Sequence, residues 1–123
     1  MKSIFSTKAP KPIGPYSQAF MYAKTLYTSG QIGMDQNGVL AEGLEAQARQ
    51  ALQNLEALAK EATTSLAHTL KVTVYLTDLA NFQVVNTLME TYFQEPYPAR
   101  TTVGVLALPR GALVEFDAII ALP

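Results

Sequence analysis

The chain has 123 residues, of which 49% are hydrophobic and 15% charged, and this composition predicts one folded domain rather than a disordered segment. The net charge is −1 and the nine Lys and Arg residues are scattered, which disfavours binding to a nucleic-acid backbone. The absence of cysteine and the single histidine argue against disulfides, thiolate catalysis and multi-histidine metal sites. Without a signal-like or membrane-spanning apolar run, we expect a cytoplasmic protein.

Short strands and turns are predicted in the first third of the chain. Three prolines within residues 10–15 predict an irregular N-terminal loop, because proline lacks an amide donor and fixes φ. Ser3–Ser6 before this loop is a candidate edge strand. Strands are predicted at Ala19–Tyr22 and Leu26–Gln31, and Asp35–Gly38 has the composition of a turn.

Two helices and a buried strand are predicted in the middle of the chain. Gly43–Ala62 has apolar residues at spacings of three and four, which indicates an amphipathic helix. Lys71–Thr77 alternates between apolar and polar residues and is predicted to be a strand. A second helix is predicted to begin after a cap at Asp78 or Asn81 and to end near Phe93, because two prolines follow.

Two strands are predicted at the C-terminal end, at Ala99–Leu106 and Ala112–Ala121, with a turn at Pro109–Gly111 between them. Alternation gives each strand two faces. The residues predicted to face the core are Thr101, Val103, Val105, Val114, Phe116, Ala118 and Ile120. The opposite faces carry Arg100 and Glu115 among small and aliphatic residues.

The element order β-β-β-α-β-α-β-β predicts an α+β domain over residues 1–123, in which two helices cover one face of a six-stranded mixed sheet. The uncovered face of such a sheet is normally polar, but here it is partly apolar, which indicates burial by a partner subunit. Partial desolvation on that face would strengthen the pairing of Arg100 with a carboxylate and raise the pKa of Glu115.

Five segments, taken together and in order, resemble the RidA (YjgF) family of reactive-intermediate deaminases. They are Ile13–Gln18, Thr28–Ile32, Asn86, Pro98–Val103 and Val114–Ala118. The resemblance implies a chorismate-mutase-like fold and a homotrimer with sites between subunits. It also implies hydrolysis of small 2-imino acids and their enamine tautomers to 2-keto acids and ammonia, without a metal or an organic cofactor.

The resemblance also assigns roles to residues of this chain. Arg100 is expected to hold the substrate carboxylate, since a planar guanidinium suits that ligand, and Glu115 to position or activate water. The residues expected to contact the substrate are Tyr16, Ser29, Gly30, Asn86, Arg100 and Thr102. Relatives often have cysteine where this chain has Thr102, but a backbone amide at that position does not depend on the side chain.

Other interpretations remain open from the sequence alone. A non-catalytic or regulatory protein of the same fold could bind a small keto or amino acid, and a ribonuclease is a third class, which the dispersed cations disfavour. Arg100 could form a surface ion pair, and Glu115 could be a solvated strand residue. Tyr16 could pack the N-terminal loop, Gly30 could permit a close backbone approach, and Asn86 could be a buried hydrogen-bonding residue.

Overall fold

Seven strands and two α-helices make up the computed structural model, which describes all 123 residues. The strands are β1 (Lys2–Ile4), β2 (Ala19–Tyr22), β3 (Thr25–Thr28), β4 (Gln31–Ile32), β5 (Thr69–Leu76), β6 (Ala99–Gly104) and β7 (Val114–Ala121). The helices are α1 (Leu44–Glu61) and α2 (Phe82–Tyr92). No helix combines the length and the apolar composition that a membrane crossing requires.

Both predicted helices are confirmed, and local sequence explains where they begin. Gly43 precedes α1 with a φ of 88°, a left-handed conformation that favours glycine. Asp78 caps the short 3₁₀ turn before α2, because its carboxylate accepts a hydrogen bond from the amide of Ala80 at 3.0 Å. Asn81 makes no capping hydrogen bond, so α2 itself begins without a side-chain cap.

The strands form one mixed sheet in the order β1-β2-β3-β7-β5-β6, and β4 pairs separately with β7. Only the β5–β6 pair is parallel. The sheet has seven strands rather than six, because the predicted strand Leu26–Gln31 is two strands. Residues Ser29 and Gly30 interrupt it, so β3 pairs with the end of β7 and β4 pairs with its beginning.

The core lies between the sheet and the two helices. The four residues of β7 that were predicted to face it are buried, and the alternating apolar residues of β5 lie beside them. These buried strand residues are Val72, Val74, Leu76, Val114, Phe116, Ala118 and Ile120. Leu52, Leu55 and Leu58 of α1 are also fully buried in this core, at the spacing that one helix face requires.

The faces of β6 are the reverse of the prediction. Arg100 is paired with Val72 and Thr102 with Val74, so both lie on the helix side of the sheet. Thr101 lies on the other side, together with Val103, which is 37% exposed. The reversal is tolerated because β6 is an edge strand, where the long side chain of Arg100 on the helix side still reaches solvent.

The side of the sheet away from the helices, here called the open face, is covered by no element of the chain. It carries exposed aromatic side chains on β2 and β3, namely Phe20, Tyr22 and Tyr27, and the partly exposed Glu115, Asp117 and Ile119 of β7. The predicted mixture of apolar and charged residues is therefore confirmed for this face of β7, whereas the face of β6 that was predicted to continue it lies on the helix side.

Candidate active site

The predicted site residues other than Thr102 are divided between two cavities on opposite sides of the sheet. Tyr16, Ser29, Gly30 and Glu115 line a cavity of about 400 Å³ at the end of β3 and β7. Asn86 and Arg100 line a cavity of about 330 Å³ between α2 and β6. Because Arg100 lies on the helix side and Glu115 on the open face, one chain does not bring the two together. The sequence-based placement of both residues on one face is wrong.

Glu115 lies directly against Gly30. A Cβ atom at position 30 would come within 1.7 Å of the Glu115 carboxylate oxygen Oε2, so this packing requires glycine. Partial burial raises the pKa of Glu115, and the negative charge of Asp117 raises it further. The first cavity therefore holds a carboxylate that is a stronger base than one in open solvent.

A buried amide fixes the wall of this first cavity. Gln18 is 2% exposed, and its side-chain nitrogen donates to the carbonyl oxygens of Ser6 (3.1 Å) and Pro10 (2.8 Å). The hydroxyl of Ser29 donates to the carbonyl of Ser17 at 2.6 Å. Both contacts tie the N-terminal loop to the sheet. The hydroxyl of Ser29, a residue predicted to contact the substrate, therefore makes a structural hydrogen bond.

Tyr16 lies on the same N-terminal loop and is 50% exposed at the cavity. Its hydroxyl oxygen accepts only a long hydrogen bond, 3.4 Å, from the amide of Ile13. Such a contact is near the limit of hydrogen-bonding distance. The phenol is therefore free to exchange this contact for a ligand.

Two cations at the first cavity were missed from the sequence. Lys11 and Arg110 both line it, and neither forms an ion pair, since the single ion pair of the chain joins Arg49 to Glu45. Arg110 has a φ of 61°, which a non-glycine residue seldom adopts. The predicted turn at 109–111 could have indicated that Arg110 lies near Glu115, because this turn comes just before the strand that carries Glu115.

Arg100 is oriented in the second cavity by α2. Its Nη1 atom donates to Oδ1 of Asn86 and also contacts the sulfur of Met89 at 3.5 Å. No carboxylate of the chain pairs with it. The remaining guanidinium donors are thus available for a bidentate contact with an external carboxylate. The ion-pair alternative for Arg100 is not observed, and Asn86 supports Arg100 as well as lining the cavity.

Thr102 presents its backbone rather than its side chain to the edge of the sheet. Its Oγ1 atom is buried without a hydrogen-bond partner. The amide of Val105 donates to the carbonyl of Leu76 in the neighbouring strand, and amides alternate in direction along a strand. The Thr102 amide therefore points away from β5, at the free edge of β6, where it can donate to a ligand near Arg100.

Comparisons with known proteins identify related sequences. The model of the family described as Endoribonuclease L-PSP matches residues 6–122. A mouse (Mus musculus) protein named 2-iminobutanoate/2-iminopropanoate deaminase is 45% identical over 120 residues, which cover 96% of this chain and 89% of that protein.

Solved structures of similar proteins cover the whole chain. RidA from the Antarctic bacterium Psychrobacter sp. PAMC 21119 is 42% identical, with a TM-score of 0.97, over 99% of this chain and 100% of that one. TdcF of E. coli, solved with bound serine, is 33% identical, with a TM-score of 0.91, over 100% of both chains. The folds are thus alike from end to end.

Proposed function

The chain belongs to the Endoribonuclease L-PSP, or RidA (YjgF), family, and we propose that it is a 2-iminobutanoate/2-iminopropanoate deaminase. This enzyme hydrolyses 2-imino acids, and the enamines in equilibrium with them, to 2-keto acids and ammonia. Several relatives at 40–45% identity have this name. The structural observation that carries the proposal is the unpaired guanidinium of Arg100, oriented by Asn86 and open to a small carboxylate.

The complete site is proposed to form between subunits of a homotrimer. Arg100 and the Thr102 amide supply the carboxylate-binding half, and Glu115 of the partner subunit supplies the half that acts on water. Two observations support this arrangement: the half-sites lie on opposite sides of one sheet, and the open face exposes Phe20, Tyr22 and Tyr27. Contiguous apolar surface of this kind usually marks an interface.

The proposed reaction needs only water and these side chains. Glu115 accepts a proton from water while the water oxygen bonds to C2 of the protonated imine, which gives a neutral carbinolamine. Glu115 then returns the proton to the nitrogen, and the C2–N bond breaks. Ammonia leaves with the bonding electrons and takes the proton of the C2 hydroxyl, which becomes the carbonyl. The protonated imine and water are thereby converted to a keto acid and an ammonium ion.

Catalysis of this reaction depends mainly on position. A protonated imine is already electrophilic, so holding it beside an oriented water removes much of the barrier.

A cytoplasmic location belongs to the same proposal. It is supported by the lack of cysteine, because disulfides are rare in the reducing cytosol.

The proposal is tested with purified protein and an imine that a dehydratase generates in the same cuvette. We expect the protein to accelerate release of the 2-keto acid above the spontaneous rate, and Arg100→Ala to abolish the acceleration. Keto-acid release that stays at the spontaneous rate with correctly folded wild-type protein would contradict the proposed activity.

A regulatory binder of amino or keto acids is the second candidate, and the structure of TdcF with bound serine favours it. The same assay separates the two, because a binder would retain a ligand without accelerating hydrolysis.

A ribonuclease function is disfavoured, since the lysines and arginines of this chain form no basic cluster in the sequence. RNA cleavage that persists in Arg100→Ala and follows the protein through purification would revive that class.

Gly30→Ala is expected to reduce kcat/KM by about 10²-fold, because the new methyl group displaces the catalytic carboxylate by an ångström or more. The displaced group is the end of a flexible side chain, so the melting temperature should change little. Gly14→Ala is the matched control: a Cβ there meets only Tyr16 at an ordinary 3.6 Å. Wild-type kcat/KM in Gly30→Ala would show that the close contact is not needed.

A further inference from the structure

Three polar side chains form a row on the open face beside the first cavity. Tyr75 of β5 is paired directly with Glu115 of β7, and Asp117 follows two residues later on the same side of β7. The Tyr75 hydroxyl crosses diagonally and donates to Oδ2 of Asp117 at 2.7 Å. The row is thus a hydrogen-bonded pair adjacent to the carboxylate that is proposed to act on water.

We propose that Asp117 and Tyr75 are positioning residues of the deaminase reaction: Tyr75 holds Asp117 as a fixed negative charge beside Glu115, which makes Glu115 a stronger base toward water. The inference rests on the proposed function, since it assigns the basic role to Glu115. Neither Asp117 nor Tyr75 is required to touch the substrate.

The charge on Asp117 acts at short range. Residues two apart on a strand are separated by about 7 Å on one face, just within the Debye length of physiological salt, so salt screens their repulsion only in part. The hydrogen bond to Asp117, partial burial and the negative charges of Asp117 and Glu115 together raise the pKa of Tyr75 to about 12, so Tyr75 stays a donor at neutral pH. Cover by a partner subunit would strengthen the coupling further.

Among the other titratable groups around Glu115, the two cations favour its ionised form. Lys11 and Arg110 face the same cavity from the loops and favour an ionised carboxylate, but neither forms an ion pair with it. Tyr16 is the remaining titratable group there, and β4 contributes none. Burial is the larger cause of the raised pKa of Glu115, and Asp117 is the charged group of the sheet that adds to it.

A purely structural role for the Tyr75–Asp117 pair is the competing explanation, because cross-strand hydrogen bonds also stabilise sheets. Such a role would change the melting temperature and the amount of folded protein. It would not change the pH at which activity is lost. The pH profile of kcat/KM therefore distinguishes the two explanations.

The experiment measures kcat/KM against pH for the wild type, Asp117→Asn and Asp117→Glu, with spontaneous hydrolysis subtracted and assembly checked by light scattering. At acidic pH, kcat/KM falls as Glu115 is protonated, and we call this part of the profile the acidic limb. We expect it to move to lower pH by about half to one unit in Asp117→Asn, because the carboxylate that repels the charge of Glu115 is gone. Asp117→Glu retains the charge and should restore the wild-type limb. An unmoved limb in Asp117→Asn at wild-type assembly would overturn the inference.

Tyr75→Phe should move the limb in the same direction by a smaller amount, because an untethered Asp117 carboxylate spends less time near Glu115. Tyr22→Phe is the matched control, since Tyr22 is also on the open face but makes no side-chain hydrogen bond. A Tyr75→Phe limb identical to that of Tyr22→Phe would remove Tyr75 from the proposal.

A second readout, the titration of the Glu115 carboxyl group followed by NMR, does not depend on activity. The ¹³C resonance of the Glu115 carboxyl, assigned by its loss in Glu115→Gln, should titrate at lower pH in Asp117→Asn than in the wild type. An inactive wild type would contradict the proposed function, whereas an active wild type whose Glu115 titration ignores Asp117 would contradict this inference alone.

Discussion

Glu115→Gln is expected to slow imine hydrolysis by about 10²- to 10⁴-fold, the usual effect of losing a general base, while binding of a 2-keto acid is retained. The amide has nearly the shape of the carboxylate, so it can still lie against Gly30. It cannot accept a proton from water. Because Arg100 and the Thr102 amide are unchanged, calorimetry with the keto-acid product should give a dissociation constant near that of the wild type.

A matched control is available on the outer side of α1. Glu56 is an exposed residue of α1, and partial desolvation raises its pKa in the same direction as that of Glu115. Glu56 lies in a separate surface groove with Lys8 and Lys60, away from both half-sites. Glu56→Gln should therefore keep wild-type kcat and KM. Unchanged kcat in Glu115→Gln would remove Glu115 from the proton transfers and leave the role of base unassigned.

The helices and the central strands were predictable because each has one buried face. In α1 the buried residues repeat at three and four, and in β7 they alternate from Val114 to Ile120. Hydrophobic periodicity reports a single buried face directly. The break between β3 and β4 was not predictable in this way, since Gly30 is needed for a contact with Glu115 that is distant in sequence.

The faces of β6 were assigned wrongly for a physical reason. Its valine-containing face suggested the core, but the register with β5 turns Val103 to the open face and Arg100 toward α2. On the helix side of this edge strand, Asn86 and Met89 of α2 contact Arg100. Alternation shows that the two faces of a strand differ, but it does not show which face lies toward the core.

The candidate site residues were predicted by resemblance, whereas their division into two groups required the structure. The strand order and the register decide that division, because they place Arg100 and Glu115 on opposite sides of one sheet. Lys11 and Arg110 were missed because loop residues follow no periodicity that would show where their side chains lie. Asp117 was visible as a neighbour of Glu115, but its bond to Tyr75 depends on the register.

Mixed oligomers of two inactive variants are expected to regain activity. In a trimer assembled at random from equal amounts of Arg100→Ala and Glu115→Gln chains, a site between subunits is intact when its arginine half comes from the Glu115→Gln chain and its glutamate half from the Arg100→Ala chain. That combination occurs at about a quarter of the sites of a symmetric ring. Chains co-expressed or refolded together should therefore show about a quarter of wild-type kcat, and separately purified variants should show almost none.

A complementary mixture tests the same geometry in the other direction. Wild-type chains mixed equally with the double variant Arg100→Ala/Glu115→Gln should again show about a quarter of wild-type activity if each site draws on two chains, and about half if each chain has its own site. An inactive mixture of single variants together with half activity in this second mixture would contradict a shared site. Because Arg100 and Glu115 lie on opposite sides of the sheet, we expect a quarter in both mixtures.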